Sequence, residues 1–168
     1  KKLCNGDISL DSNRKFKESR HTWLTFRLGE VYLNYAEAVF KYLGGADITS
    51  MEFPMSARAA ASKTRQRAGM PDFEQGMDAN TFWTKLCNER FVELAFEGHR
   101  FWDVRRWKEA DKYFKNIVEM KLVKEADGNI TYMRKNVSRQ WDDKMYLFPI
   151  PQSERSKNPN LTQNPGWE

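Results

Sequence analysis

The stretch Leu28-Gly29-Glu30-Val31-Tyr32-Leu33-Asn34-Tyr35-Ala36-Glu37-Ala38-Val39-Phe40-Lys41-Tyr42-Leu43-Gly44-Gly45 decides the reading of the fold. Apolar side chains recur at three- and four-residue steps through Leu28, Val31, Tyr32, Tyr35, Ala36, Val39, Tyr42 and Leu43, the spacing of an amphipathic helix, and the glycine pair ends it. Next along the chain, Ala57, Ala60, Ala61, Thr64 and Ala68 form a stripe of small side chains that permits close helix contact, closed by Gly69 and Pro71. An antiparallel hairpin of these two helices is expected, although the connection from Gly44 to Met55 is longer than a tight turn needs. From about Asn80 to Phe96 a third helix carries Trp83, Cys87, Phe91 and Leu94 on one strip and Phe82, Leu86 and Phe96 on another, which implies burial between layers. Gly98 breaks that run, and Phe101, Val104, Trp107, Ala110 and Phe114 predict a fourth helix.

Outside this core the pattern changes. Residues 1–25 are polar and irregular and read as a lead-in loop, residues 26–115 as the helical core, and residues 116–168 as a hairpin or loop followed by an extended tail. Alternation around Asp127-Gly128-Asn129 reads as a hairpin or a long excursion between Asn116 and Trp141, and Pro149, Pro151, Pro159 and Pro165 predict that the end is extended or looped. The expectation is a single region with an all-α fold. Two successive helix pairs are compatible with a tetratricopeptide-like stack, although no repeat of fixed period is visible.

Bulk properties exclude several function classes. With 40% hydrophobic and 30% charged residues, the chain lies outside the disordered range. Its 28 basic residues against 23 acidic ones give a net charge of +5, but they are dispersed, which argues against a nucleic-acid partner. Cys4 and Cys87 form neither a disulfide framework nor a metal-spaced cluster and read as free thiols. His21 and His99 are the two imidazoles, no zinc or calcium motif accompanies them, and glycine-rich phosphate loops are absent, so no metal or cofactor is expected. No stretch is apolar enough to span a bilayer and none resembles a signal peptide. The start at Lys1-Lys2 without Met leads to the expectation of an incomplete chain.

The densest polar constellation runs from Asn88 to Trp107. Glu89, Glu93 and Glu97 fall at four-residue steps bordering an apolar face, and Arg90, Arg100, Arg105 and Arg106, or Arg65 and Arg67 of the small-residue helix, could supply guanidinium partners. A glycoside hydrolase needs carboxyl groups flanking the scissile bond, which neighbours on one helix face do not do, so the favoured reading is a structural network and not an enzyme. His99 has no nucleophile signature beside it. Trp23, Trp83, Trp141 and Trp167 could stack on a sugar, with core or interface packing favoured for each. No catalytic, metal, cofactor or ligand-contacting residue is assigned.

Four blocks in order carry a resemblance. Arg27-Leu28-Gly29-Glu30-Val31-Tyr32-Leu33-Asn34-Tyr35-Ala36-Glu37-Ala38 looks like the R-x-x-E-x-y-L-x-y-A-E-A helix of SusD/RagB proteins, and Thr64-Arg65-Gln66-Arg67-Ala68-Gly69 resembles the helix end that follows it. Glu89-Arg90, Glu93 to Asp103 and Arg105-Arg106-Trp107 are similar to the family's E-R-x-x-E-L-x-F-E-G-x-R-x-x-D-x-x-R-W signature. Tyr146 to Pro151, Asn158 to Leu161 and Gln163 to Trp167 resemble its closing tail. The resemblance implies the C-terminal part of a non-catalytic outer-membrane lipoprotein, facing outward, that binds glycan or peptide nutrients and lids a SusC-like TonB-dependent transporter. The family's N-terminal portion, with its lipid-bearing cysteine, has no counterpart here, and Lys2-Leu3 before Cys4 does not fit a lipobox. A helical scaffold that binds only protein is the alternative.

Overall fold

The computed structural model describes residues 24–168, so Cys4, His21, Trp23 and most of the expected lead-in loop lie outside the described residues. The chain divides into two compact units, with the boundary between Glu93 and Leu94.

The first unit contains α1 (Leu28–Leu43), α2 (Ala57–Arg67) and α3 (Ala79–Glu93). α1 buries Leu33, Ala36, Val39 and Phe40, the stripe its periodicity predicts, and Gly44 ends it at φ 78°, where its N–H reaches the Phe40 carbonyl at 2.9 Å. α2 starts at Ser56, whose hydroxyl accepts from the Ala59 N–H at 3.2 Å, and its small residues Ala57, Ala60, Ala61 and Thr64 are buried. Because the start of α1 and the end of α2 both reach Glu93, the two helices are antiparallel. The return segment from Ala68 to Asp78 then brings α3 back parallel to α2, and Phe73 in that segment packs edge-on against Phe82 at 5.9 Å. α3 buries Phe82, Leu86 and Cys87, while Phe91 is half exposed. It ends at Glu93, short of the expected Phe96.

The second unit contains α4 (His99–Arg106), α5 (Ala110–Tyr113), β1 (Asn116–Lys124), β2 (Ile130–Ser138), a 3-10 turn at Asp143–Tyr146 and α6 (Gln152–Lys157). The expected all-α fold is therefore corrected: the chain is mostly helical with a two-stranded antiparallel sheet. The strands are nine residues each and pair from Asn116 opposite Ser138 to Lys124 opposite Ile130. Their sequences alternate with period two, and the turn is closed locally, with Asp127 accepting from the Asn129 N–H at 2.9 Å and Gly128 at φ 87°. Both faces are largely exposed, so no long-range apolar pattern announced strands of this length. The predicted fourth helix is also split. Lys108 sits at φ 56°, its N–H bonded to the Arg105 carbonyl and the Glu109 N–H to the Val104 carbonyl, which is a Schellman closure of α4. The proline-rich tail is less extended than expected, since α6 follows Pro151 directly.

Candidate functional site

In the first unit the carboxylates and guanidinium groups are engaged with one another. Glu89 accepts from Thr64 Oγ1 at 3.0 Å and from Arg65 Nη1 at 2.9 Å. Both oxygens of Glu93 accept from Arg67 Nη2, at 3.0 and 2.9 Å, and the Arg27 guanidinium donates both to the Glu93 carboxylate and to the Glu93 backbone carbonyl. Arg90, almost wholly buried, donates to Asn34 Oδ1 at 2.7 Å and lies 3.8 Å from Glu37. Gly29 makes room for this lacing: a Cβ there would sit 2.7 Å from Arg27 Nη1 and 3.1 Å from Glu93 Oε1. Buried carboxylates locked by arginines hold helices together and leave little freedom for proton transfer.

The second unit offers a different environment. A groove of about 950 Å³ opens beside α4, within the roughly 300–1,000 Å³ range usual for ligand clefts. Trp102 lines it and is 59% exposed, so an indole face is available to a partner. Asp142 and Asp143 add acceptors, and Arg106, Lys108 and Lys144 add donors. The far wall is the C-terminal tail at Pro165 and Gly166, held in place by Gln163, which donates to the Ile150 carbonyl at 3.0 Å and accepts from its N–H at 2.7 Å. Asn164 donates to the Phe148 carbonyl, and the Trp167 indole N–H lies 2.9 Å from the Lys144 carbonyl.

A cluster of rings stands behind this groove. Arg105 Cζ lies 3.8 Å from the centroid of Phe101, 5.1 Å from Phe148, 5.4 Å from Trp141 and 5.7 Å from Phe114. Among the described residues no group accepts from its Nε or Nη1, and burial lowers its pKa.

Comparison with known proteins fits this arrangement into a lineage. The family model described as the SusD family matches residues 3–167. The chain belongs to the SusD family. It is 27% identical over 161 residues to SusD-like protein P25 of Formosa agariphila, covering 94% of this chain and 26% of that protein. A second relative from the same organism, SusD-like protein P2, is 26% identical over 159 residues, covering 90% and 27%. The crystal structure of a SusD-like protein from Bacteroides fragilis superposes with a TM-score of 0.69 at 33% identity, covering 86% of this chain and 26% of that one. The chain spans about a quarter of the length of the curated relatives it matches.

Several SusD motif residues now have physical duties. Arg65 and Arg67 grip Glu89 and Glu93, and Gly69 at φ 70° closes α2 with a Schellman pair through Met70 and its own N–H. Gly98 opens α4 at φ 82°. The constellation read from Asn88 to Trp107 does not act as one helix face, because α3 stops at Glu93 and Glu97 lies in the turn beyond it. Arg106 pairs with Asp103 at 2.7 Å, and Arg100 lies over the Tyr113 ring at 4.0 Å. Of the tryptophans for which packing is favoured over sugar stacking, Trp83 packs on Phe40 at 5.9 Å and Trp141 on Tyr146 at 5.0 Å. The groove instead presents Trp102, with Lys108, Lys144, Asp142 and Asp143, none of them singled out from sequence. Trp102 falls inside the third motif block, but no local pattern joins it to Lys144; the fold brings two segments about 40 positions apart into one wall.

Proposed function

We propose that this SusD-family chain is part of a non-catalytic, outward-facing outer-membrane protein that binds glycans and passes them to a SusC-like TonB-dependent transporter. The observation that carries the reading is the groove with an exposed Trp102 face and a rim of charged donors and acceptors. A sugar ring has an apolar face that stacks on an indole and an edge of hydroxyls that both give and accept hydrogen bonds. Hydrolysis is disfavoured by the same geometry. Glu89 and Glu93 are held by arginines, and Asp142 and Asp143 are chain neighbours at the start of one short turn, so neither pair can flank a glycosidic bond from opposite sides.

The test is calorimetric titration of the full-length protein with a panel of plant and algal oligosaccharides, neutral and acidic. At least one should bind, and Trp102→Ala should weaken it roughly tenfold, about 1.4 kcal/mol. Failure of every glycan to bind, with a protein partner retained, would favour the scaffold reading. Release of reducing ends above a heat-killed control would reinstate catalysis.

A further inference from the structure

We propose that the groove beside α4 selects sugars bearing an anionic substituent, a uronate carboxylate or a sulfate ester, through Lys108 and Lys144 with Arg105 behind them. This rests on the glycan-binding reading and narrows its ligand class.

The argument starts from charge. Four cations line the groove, Arg105, Arg106, Lys108 and Lys144, against two carboxylates, Asp142 and Asp143. Asp103 takes up Arg106, yet the remaining three cations still outnumber the two acids. Among the described residues no ion pair holds Arg105, Lys108 or Lys144; Arg105 faces rings, and Lys144 Nζ lies 4.8 Å from the Trp167 ring centroid. A guanidinium among aromatic rings is poorly solvated, so its field is weakly screened and projects into the adjacent concavity.

A second observation is conformational. Lys108 closes α4 at φ 56°, a position where glycine or asparagine is favoured, and its counterpart at the end of α2 is Gly69. A lysine held in a left-handed conformation at the edge of a groove is a departure from the local optimum, and such departures concentrate at functional positions. Asp142 accepts from the Lys144 N–H at 3.2 Å and so is partly engaged in shaping its own turn. The acids remain suited to hydroxyls of the same sugar while the lysines meet its anion.

The experiment uses the full-length protein and compares affinities for a neutral xylo-oligosaccharide, an oligogalacturonate and a sulfated galactan oligosaccharide of equal length. The acidic ligands should bind roughly tenfold tighter at low salt and lose most of that advantage in 0.5 M NaCl, a concentration at which charge attraction is screened within about 4–5 Å. Lys108→Gln combined with Lys144→Gln should weaken the acidic ligands roughly tenfold and the neutral one less than twofold, while Asp143→Asn should tighten the acidic ones about twofold to threefold. Uronate and sulfate arms that differ from each other identify which anion the groove takes. Equal binding of neutral and acidic ligands, or loss of both together in the double variant, overturns the charge selection while leaving glycan binding intact. Binding of no ligand in any arm rejects the underlying reading instead.

Discussion

The two units solve the same problem, how to place arginines beside a partly apolar interior, in opposite ways. In the first, each of the interior carboxylates Glu89 and Glu93 meets a guanidinium, so charge is cancelled where it is buried. In the second, Arg105 is surrounded by Phe101, Phe114, Trp141 and Phe148 without a carboxylate among its described partners. Cancelled charge stabilises a helix pair and is silent toward solvent, whereas uncancelled charge costs stability and remains available to a ligand. The difference teaches where to look for function in a chain rich in arginine: at the cation without an acid, not at the densest cluster of acids and bases.

The largest expected effect comes from breaking the cancelled side. Glu93→Ala withdraws the carboxylate shared by Arg27 and Arg67, and since Glu93 is only 8% exposed the loss should be about 3 kcal/mol in chemical denaturation of the full-length protein. A cost below about 1 kcal/mol would mean that solvent already screens the network, as it does for exposed pairs, and the contrast between the units would collapse.

A swap sharpens the contrast at intermediate size. α2 and α4 close with the same hydrogen-bond pattern, one at Gly69 and the other at Lys108. Nothing lies within 4 Å of a Cβ built on Gly69, so Gly69→Lys should lose about 1 kcal/mol from backbone strain alone, and Lys108→Gly should gain a similar amount. The stabilised Lys108→Gly protein should bind acidic glycans more weakly, the trade expected when strain is kept for function. Stabilisation with undiminished binding would assign Lys108 no part in the groove.

Much of the first unit was legible in sequence because its information is periodic: Leu33, Ala36, Val39 and Phe40 in α1 and the alanine stripe of α2 are buried where their spacing places them. Helix ends were harder. Nothing in Leu94 to Phe96 forbids helix, yet Phe96 takes φ 66° and the turn through Gly98 follows. The strands are legible only as an alternation open to hairpin or excursion, because Val118, Met120 and Leu122 alternate over a stretch with no buried face to reinforce the pattern. The groove was not legible as a site: Arg105 and Arg106 stand out in sequence only as ion-pair candidates, and Trp102 and Lys144 are joined only by the path of the chain between them. Family motifs located the frame, Arg65, Arg67 and the Gln163 clamp, and run through wall residues such as Arg105 and Pro165 without marking them as a wall.

The smallest expected effect concerns acid. Asp47, in the loop after α1, accepts from Arg58 Nε through one oxygen and from the Gly76 N–H at 3.0 Å through the other, so it ties two connections of the first unit together. Burial pushes its carboxyl up, but the hydrogen bonds from Arg58 and Gly76 and the charge of Arg58 outweigh it and hold the pKa below the ordinary 3.8. A depressed folded value means that the contribution is fully present above the unfolded pKa of about 4 and is lost as pH falls through the lower folded value. Asp47→Asn should therefore lower the denaturation midpoint at pH 7, and the gap from the parent should narrow below about pH 4. In the second unit, Asp127 is also depressed, by the backbone and side-chain hydrogen bonds of Asn129, but both partners belong to one exposed hairpin turn. Asp127→Asn should show the same sign with a smaller gap, because losing it frees one turn rather than two connections. Equal gaps for the two variants across the pH series would show that Asp47 is no more than a local turn contact, and that the arginine pairs of Glu89 and Glu93, not that of Asp47, lace the first unit.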